Sequence, residues 1–309
     1  MRITFQIGAH QTRAPLLTNA INKNRQMLLE LNIVAPYLRQ QNRVFGATLK
    51  RLDGLPPILH EENEVLNALL GDCTGAHSML LQNESMIGDF NRMFDRGRLY
   101  ASNFQLLSRI SEFFSQHEIH IALALRNPAH LVSSVANAEL KPKSLRFVVD
   151  DSDPTTLSWV DTLDQLQTKF PQAKFILWRD EDAPLIWPRI LKHLTNAPEG
   201  TVYTDAHAVI QSVLSPEGIS KFQSYFNDHP DDTSQSYEQA VQEIFNEFAL
   251  DQFKSPPCDV PGWTPDIVRD LTLDYDEDVE ILSQRDHVTF IAPMAQMEPL
   301  ILRNAVAST

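Results

Sequence analysis

Cysteine is scarce in this chain: among 309 residues there are two, Cys73 and Cys258. Thiols so far apart in sequence supply neither a disulfide framework nor a thiolate metal site, so a reducing compartment is expected. Positive charge is also in short supply, with 26 Lys and Arg against 40 Asp and Glu, a formal charge of −14. A surface this acidic repels a phosphate backbone, which argues against general nucleic-acid binding and leaves room for a small anion held in a local basic pocket. No apolar run approaches the roughly 18 residues that a membrane-spanning helix needs. The opening Met1-Arg2-Ile3-Thr4-Phe5-Gln6-Ile7-Gly8 is too short and too polar for a signal peptide. Internal repeats and low-complexity tracts are lacking. A chain that is 43% hydrophobic and 21% charged can build a packed core. The expectation is a soluble, acidic, cytoplasmic globular protein, read as a single domain over 1–309.

The N-terminal part alternates strands and helices. Apolar residues at every second position predict a strand over Ile3 to Ile7, ended by Gly8, and helical spacing predicts a helix from about Leu16 to Leu31. A strand that opens through a turn into a helix begins a βαβ unit. Residues 32–60, with Pro36, Pro56 and Pro57, read as a long connection holding at most a short helix around Arg43 to Leu52. A helix is expected from Glu61 to Leu70 and a second strand from Ser78 to Gln82. Next come a helix from Asn103 to Ser115, capped by Asn103 or Ser102, and a buried parallel strand over Ile119 to Leu125. Arg126-Asn127-Pro128 is a turn, followed by a helix from Ala129 to Leu140. Residues 141–155 read as a polar, mobile loop. A helix over Thr156 to Phe170, a fourth strand over Lys174 to Trp178 and a helix over Leu185 to Leu194 complete the α/β part, 1–195. Residues 196–309 read as mainly helical. Tyr237 to Ala249 keeps three-and-four spacing without a break, and Thr264-Pro265 is an N-cap with proline at the first helical position. The stretch from Asn227 to Ser236 reads as a linker between helices. The fold class is therefore α/β: a mostly parallel sheet of about four to five strands, helices on both faces, and a helical part over the carboxyl edge of the sheet.

The segment Gly8-Ala9-His10-Gln11-Thr12-Arg13-Ala14-Pro15 lies where α/β proteins hold phosphate on backbone N–H groups and a helix N-terminus. It lacks the second glycine and the lysine of a nucleotide-binding P-loop, and an ordinary βα turn is the alternative. Its context adds to it. The run from Phe5 to Thr12, the following helix with Asn24-Arg25, and Leu31-Asn32-Ile33-Val34-Ala35-Pro36 together resemble the N-terminus of bacterial sulfotransferases. That family binds 3′-phosphoadenosine-5′-phosphosulfate on a P-loop-like turn whose counterpart here is 8–15. A second match is Arg126-Asn127-Pro128 with Ser134 eight residues after the arginine. It resembles the family's arginine and serine for the 3′-phosphate, a pairing that suits a guanidinium fork. A looser third match is Trp178-Arg179-Asp180-Glu181-Asp182, which reads equally well as a solvated acidic loop before a helix.

The resemblance implies that Gly8, Ala9, His10, Gln11, Thr12 and Arg13 surround the 5′-phosphosulfate and that Arg126 and Ser134 hold the 3′-phosphate. A sulfuryl group would then pass to a hydroxyl or amine acceptor, a small molecule, glycan or lipid. Glu84, just after the second strand, is the candidate base, with His10 as runner-up. The chain departs from the family at one place. The family's loop lysine is Gln11 here, and its glycine, threonine and threonine are Arg13, Ala14 and Pro15. Losing a charge-assisted contact at a transition-state oxyanion costs about 3–4 kcal/mol. Arg13 folding back, or a protonated His10, would restore a cation. Otherwise the chain is a binding protein on a decayed sulfotransferase scaffold. A nucleotide kinase fits less well, since Gln11-Thr12 supplies the hydroxyl without the lysine. No metal site is expected: the helix from His60 to Glu64 lacks a second histidine, and His117 and His120 have no companion ligands.

Overall fold

The computed structural model describes residues 1–101, 104–149, 154–229, 235–254 and 256–293. The first half runs β1 (Arg2–Gly8), α1 (Ala14–Glu30), β2 (Ile33–Val34), α2 (Leu38–Leu52), α3 (Leu59–Leu70), β3 (Ser78–Gln82), α4 (Gln105–Ser111), β4 (Glu118–Leu125) and α5 (Pro128–Ala136). It continues through α6 (Arg146–Val149), α7 (Trp159–Lys169), β5 (Lys174–Arg179), α8 (Ala183–Thr195), α9 (Ala208–Val213), α10 (Pro216–Asp228), α11 (Gln235–Phe248), α12 (Asp251–Lys254), α13 (Pro265–Ser283) and β6 (Val288–Ile291).

The six strands form one parallel sheet in the order β2-β3-β1-β4-β5-β6. Alternation along each strand sorts its side chains to two faces. Ile3, Phe5 and Ile7 of β1, Ile121 and Leu123 of β4, and Phe175 and Leu177 of β5 join one core with residues of α3, α4, α5, α7 and α13. Leu80, Ala122, Ala124, Ile176 and Trp178 point the other way, into a core with α1, α8, α9, α10 and α11. The expected α/β class, with helices on both faces and a helical C-terminal part, is what the chain adopts.

Several expectations need correction. The sheet has six strands, because Val288-Thr289-Phe290-Ile291 adds β6 beside β5 through Phe175↔Val288 to Trp178↔Ile291. The alternation therefore resumes once after the helical stretch. Residues 32–60 hold a two-residue strand and a 15-residue helix that ends at Leu52 as expected but begins at Leu38, five residues before Arg43. On α2 Gln41 and Phe45 are buried, and Val44, Leu49 and Leu52 pack half-buried against the same core. The helix after Arg126 stops at Ala136, short of Leu140, and α7 begins at Trp159, later than Thr156. The expected capping residues Ser102 and Asn103 lie outside the described residues, as does most of the linker before α11; that linker starts later than expected, since α10 runs to Asp228. Residues 141–149, read as loop, contain a single 3₁₀ turn at Lys143–Leu145 and α6; residues 150–153 are not among those described.

The N-cap expected at Thr264 forms, its Oγ1 accepting from the Ile267 N–H. Asn127 Oδ1 accepts from the Ala129 N–H and Ser215 Oγ from that of Gly218, caps that the sequence reading did not name. Asn24 is buried on α1 and pins a distant loop: its side chain receives the Thr204 N–H at 2.7 Å and donates to the Thr204 carbonyl at 3.0 Å. Arg25 stacks on the Tyr37 ring at 3.6 Å.

Gly218 marks a close approach of α10 to α11. A Cβ there would stand 2.4 Å from Cβ of Phe248 on α11. Gly218→Ala gains about 1 kcal/mol of helix propensity and loses more to overpacking against a rigid neighbour. A net destabilisation of about 1–2 kcal/mol is expected in urea unfolding; a stabilised variant would contradict the packing of α10 on α11.

Candidate functional site

β1 and β4 are neighbours in the sheet, and the helices that follow them leave on opposite faces: α1 joins one core and α5 the other. In an open parallel sheet such a divergence opens a crevice at the carboxyl ends of the strands, the usual place for a ligand. The β1 turn and the Arg126 segment both open into it.

Arg126 reaches across the crevice. Its Nη1 donates to the Gln11 carbonyl oxygen and, at 3.3 Å, to Ser134 Oγ. Ser134 Oγ in turn donates to Gln11 Oε1 at 3.2 Å. The three residues form a closed triangle joining the turn after β1 to the start and the second turn of α5. Gln11 adopts a left-handed conformation, φ 60°, unusual for a residue with a side chain. The bond from Arg126 to its carbonyl helps hold it there.

Gln11 and Arg126 of this triangle line a cleft of about 470 Å³, together with Thr12, Arg13, Leu16, His130, Asp180 and Glu181, and with Phe245, Gln252, Phe253 and Pro256 of the helical part. That size suits a small organic ligand. Four of its side chains carry formal charge at neutral pH, and three are committed. Arg13 donates to Asp180 three ways: N–H to Oδ1 at 2.8 Å, Nη1 to Oδ2 at 2.7 Å and Nη1 to the Asp180 carbonyl at 2.5 Å. Glu181 accepts from the Asn127 N–H at 2.8 Å and from the Tyr275 hydroxyl at 3.0 Å. Arg126 makes no ion pair with any described residue, so it is the cation left for a ligand. His130 stands between Arg126 and Ser134 on the same helical face. Its Nδ1 is buried without a hydrogen-bond partner.

Both sources of a replacement cation are corrected by this geometry. Arg13 does not fold back over the turn, because Asp180 holds it. His10 is buried, with its N–H donating to Tyr100 Oη at 3.0 Å and its Nδ1 3.1 Å from the same hydroxyl. Desolvation pushes the imidazole down to about 4, against a smaller upward pull from Asp89, so His10 is neutral at pH 7. Thr12 Oγ1 turns inward to the Ala9 carbonyl at 2.7 Å, while Gly8 and Ala9 are buried, with Ala9 N–H bonded to the Ala124 carbonyl at 3.3 Å. The acidic stretch after β5 is not a solvated loop. Arg179, Asp180 and Asp182 are all buried, and burial raises the Asp180 carboxyl and takes that of Asp182 to about 7.

Glu84 lies on the other side of the turn, in a single 3₁₀ turn at the end of β3. It lines a second cleft of about 400 Å³ with Gln6, Gln82, Asn83 and Ser85 and with Ala14, Pro15, Thr18, Asn19 and Leu38. Burial raises its carboxyl above the ordinary range. The stretch 11–19 thus borders both clefts, and the residues singled out in the sequence divide between them. Sequence reasoning passed over His130, Asp180 as a partner of Arg13, Tyr100 and Gln82. The helical spacing Arg126, His130, Ser134 would have found the first, and the position of Asp180 directly after a strand the second. Tyr100 has no local signal.

Among the described residues no helix is long and apolar enough to cross a membrane, and no group of three or more His, Cys, Asp or Glu is placed to hold a metal ion. Comparisons with protein-family models, curated proteins and solved structures return no match.

The burial of His10 has a titration signature. Its folded value of about 4 lies below its ordinary 6.5, so the unfolded chain binds the proton more readily between those values. The contribution of His10 to stability is present above pH 6.5 and is lost as pH falls toward 4. In an NMR titration its ring signals are expected to stay at the neutral position down to about pH 5; a midpoint near 6.5 would contradict the buried, neutral ring.

Proposed function

We propose that this chain binds a 3′-phosphoadenosine nucleotide in the crevice beside Arg126 and transfers a sulfuryl group from 3′-phosphoadenosine-5′-phosphosulfate to an acceptor in the second cleft. The observation that carries the reading is the triangle of Arg126, Ser134 and Gln11. The two segments that resemble the ends of a sulfotransferase cofactor site lie on neighbouring strands and are hydrogen-bonded to each other. The residues present fit a phosphate at one end of the nucleotide. A half-buried guanidinium without a carboxylate partner, a serine hydroxyl beside it and an orphaned His130 Nδ1 offer convergent polar contacts.

When bound, the nucleotide supplies the sulfuryl group and its leaving phosphate. Arg126 and Ser134 hold the 3′-phosphate. Gln11 and the N-terminus of α1 face the 5′ end with amide dipoles in place of a full charge. Glu84 removes the proton of the acceptor. A carboxylate whose basicity is raised by burial is a better base near neutral pH than an exposed one.

Binding without turnover is the second reading, and one contact favours it. The Asp180 carboxylate, bonded to the Arg13 N–H, stands at the N-terminus of α1, where the family's resemblance would bring the phosphosulfate. Arg13, the cation next to that point, is neutralised by the same carboxylate.

Calorimetric titration with adenosine 3′,5′-bisphosphate tests the shared half of both readings. Heat of binding is expected for the wild type, weakened on the order of 30-fold in Arg126→Ala, about 2 kcal/mol for one charge-assisted contact. No binding by the wild type would overturn the proposal. Gln11→Lys combined with Arg13→Gly separates the readings. A sulfuryl-transferring wild type hydrolyses the phosphosulfate nucleotide slowly without the change, whereas the binding-only protein gains that activity only with it.

A further inference from the structure

We infer that the second cleft is a site for a neutral polyhydroxylated ligand, a glycosyl group or similar polyol, one hydroxyl of which is presented to Glu84. The inference rests on the proposed sulfuryl transfer only for the fate of that hydroxyl; the binding site is argued from the walls of the cleft.

Two side chains in the cleft have no partner among the described residues. The amide nitrogen of Gln82, a residue only 9% exposed, is buried without an acceptor. The Glu84 carboxylate has neither a hydrogen-bond donor nor a cation beside it, and desolvation is the one cause that shifts it upward. A group completing this cleft has to accept from an amide and donate to a carboxylate. A hydroxyl does both. An ammonium only donates and leaves the Gln82 amide orphaned, at the usual cost of an unsatisfied buried donor. A carboxylate or phosphate only accepts, and it would meet the charge of Glu84 with no cation among the lining residues to offset it. The choice between hydroxyl and amine acceptors, open in the sequence, therefore falls to the hydroxyl.

The remaining walls agree. Gln6, Asn83, Asn19, Thr18 and Ser85 are uncharged and polar; Gln6 donates to the Gly8 carbonyl, Thr18 to the Ala14 carbonyl and Asn83 accepts from the Ser85 N–H, which leaves Asn19 and the Ser85 hydroxyl for further hydroxyls. Ala14, Pro15 and Leu38 supply a short apolar side against which the C–H face of a sugar ring can lie. A volume of about 400 Å³ sets the size near that of a small organic ligand such as a mono- or disaccharide.

Saturation-transfer NMR on the full chain, without nucleotide, tests the inference with methyl glucoside, maltose, cellobiose and lactose as probes and 1,4-diaminobutane as the contrasting amine. Transfer to at least one saccharide is expected, with affinity at least tenfold weaker in Gln82→Leu. Asn19 is exposed at the rim, so Asn19→Trp fills the cleft without touching the core and is expected to weaken saccharide binding as much, at unchanged melting temperature. Transfer to the diamine alone, no transfer to any saccharide, or saccharide binding indifferent to Asn19→Trp would each overturn it. Adenosine 3′,5′-bisphosphate titrated into the same samples keeps the two claims apart. Nucleotide heat without saccharide binding removes this inference and leaves the nucleotide site; saccharide binding without nucleotide heat removes the sulfuryl-transfer reading and leaves the polyol site.

Discussion

Arg126 ties the turn after β1 to the helix after β4, and the candidate site exists because that tie can be made. The guanidinium reaches the Gln11 carbonyl because β1 and β4 are adjacent and parallel, with a one-residue irregularity between Gln6 and Gly8 that sets Gly8 opposite Leu123, so that both strands end at the same level. A slip of two residues along either strand would separate the loops by roughly 7 Å, more than a hydrogen bond can bridge. Divergence of α1 and α5 to opposite faces then leaves the crevice open over the tie. The left-handed backbone at Gln11 belongs to the same arrangement. It costs about 1 kcal/mol for a residue with a side chain, and it turns the Gln11 carbonyl toward Arg126 while its side-chain oxygen meets Ser134.

Charge in the crevice is arranged against the character of the whole chain. The protein carries −14, so a nucleotide anion gains nothing from long-range attraction, and binding has to come from contacts at short range. Close to the turn the formal charges cancel, Arg13 and Arg126 against Asp180 and Glu181. Asp180 pairs with Arg13, and Glu181 accepts from the Asn127 N–H and the Tyr275 hydroxyl, so Arg126 has no ion-pair partner among the described residues. Burying Arg179, Asp180 and Asp182 together is tolerable only because their partners are fixed: Arg179 pairs with Asp276 at 2.7 Å and stacks on Tyr275. The acidic segment is thus part of the scaffold that orients the turn, and α13 is needed to complete it.

Much of this was legible in the sequence where one face of an element dominates. β1 and β3 alternate or run apolar between turn signals, and Arg126 with Ser134 eight residues on marks one side of a helix. Elements with a thin fully buried stripe were less legible. α2 fully buries Gln41 and Phe45, and its start at Leu38 precedes the expected one at Arg43; β6 contributes a single fully buried residue, Ile291. The acidic run after β5 misled for a different reason. Asp-Glu-Asp normally faces water, and only partners distant in sequence, Arg13 and Tyr275, make its burial affordable. Likewise the neutral His10 depends on Tyr100, ninety residues away and without a local pattern. Residue types at strand ends marked the candidate site; the pairing of its side chains was set by contacts across the fold.

Those contacts bear directly on how the turn could handle developing negative charge. With His10 neutral and Gln11 uncharged, Arg126 and the positive end of α1 are the electrostatic resources at the turn, and Asp180 already draws on the second through the Arg13 N–H. Burial raises the Asp180 carboxyl while Arg13 opposes the rise. An anion brought to the same turn acts in the direction of burial, because a like charge further disfavours the ionised carboxylate. On the far side of the turn Glu84 has no such partner and keeps its raised basicity. One turn thus separates a carboxylate paired with an arginine from a carboxylate with no ion-pair partner among the described residues.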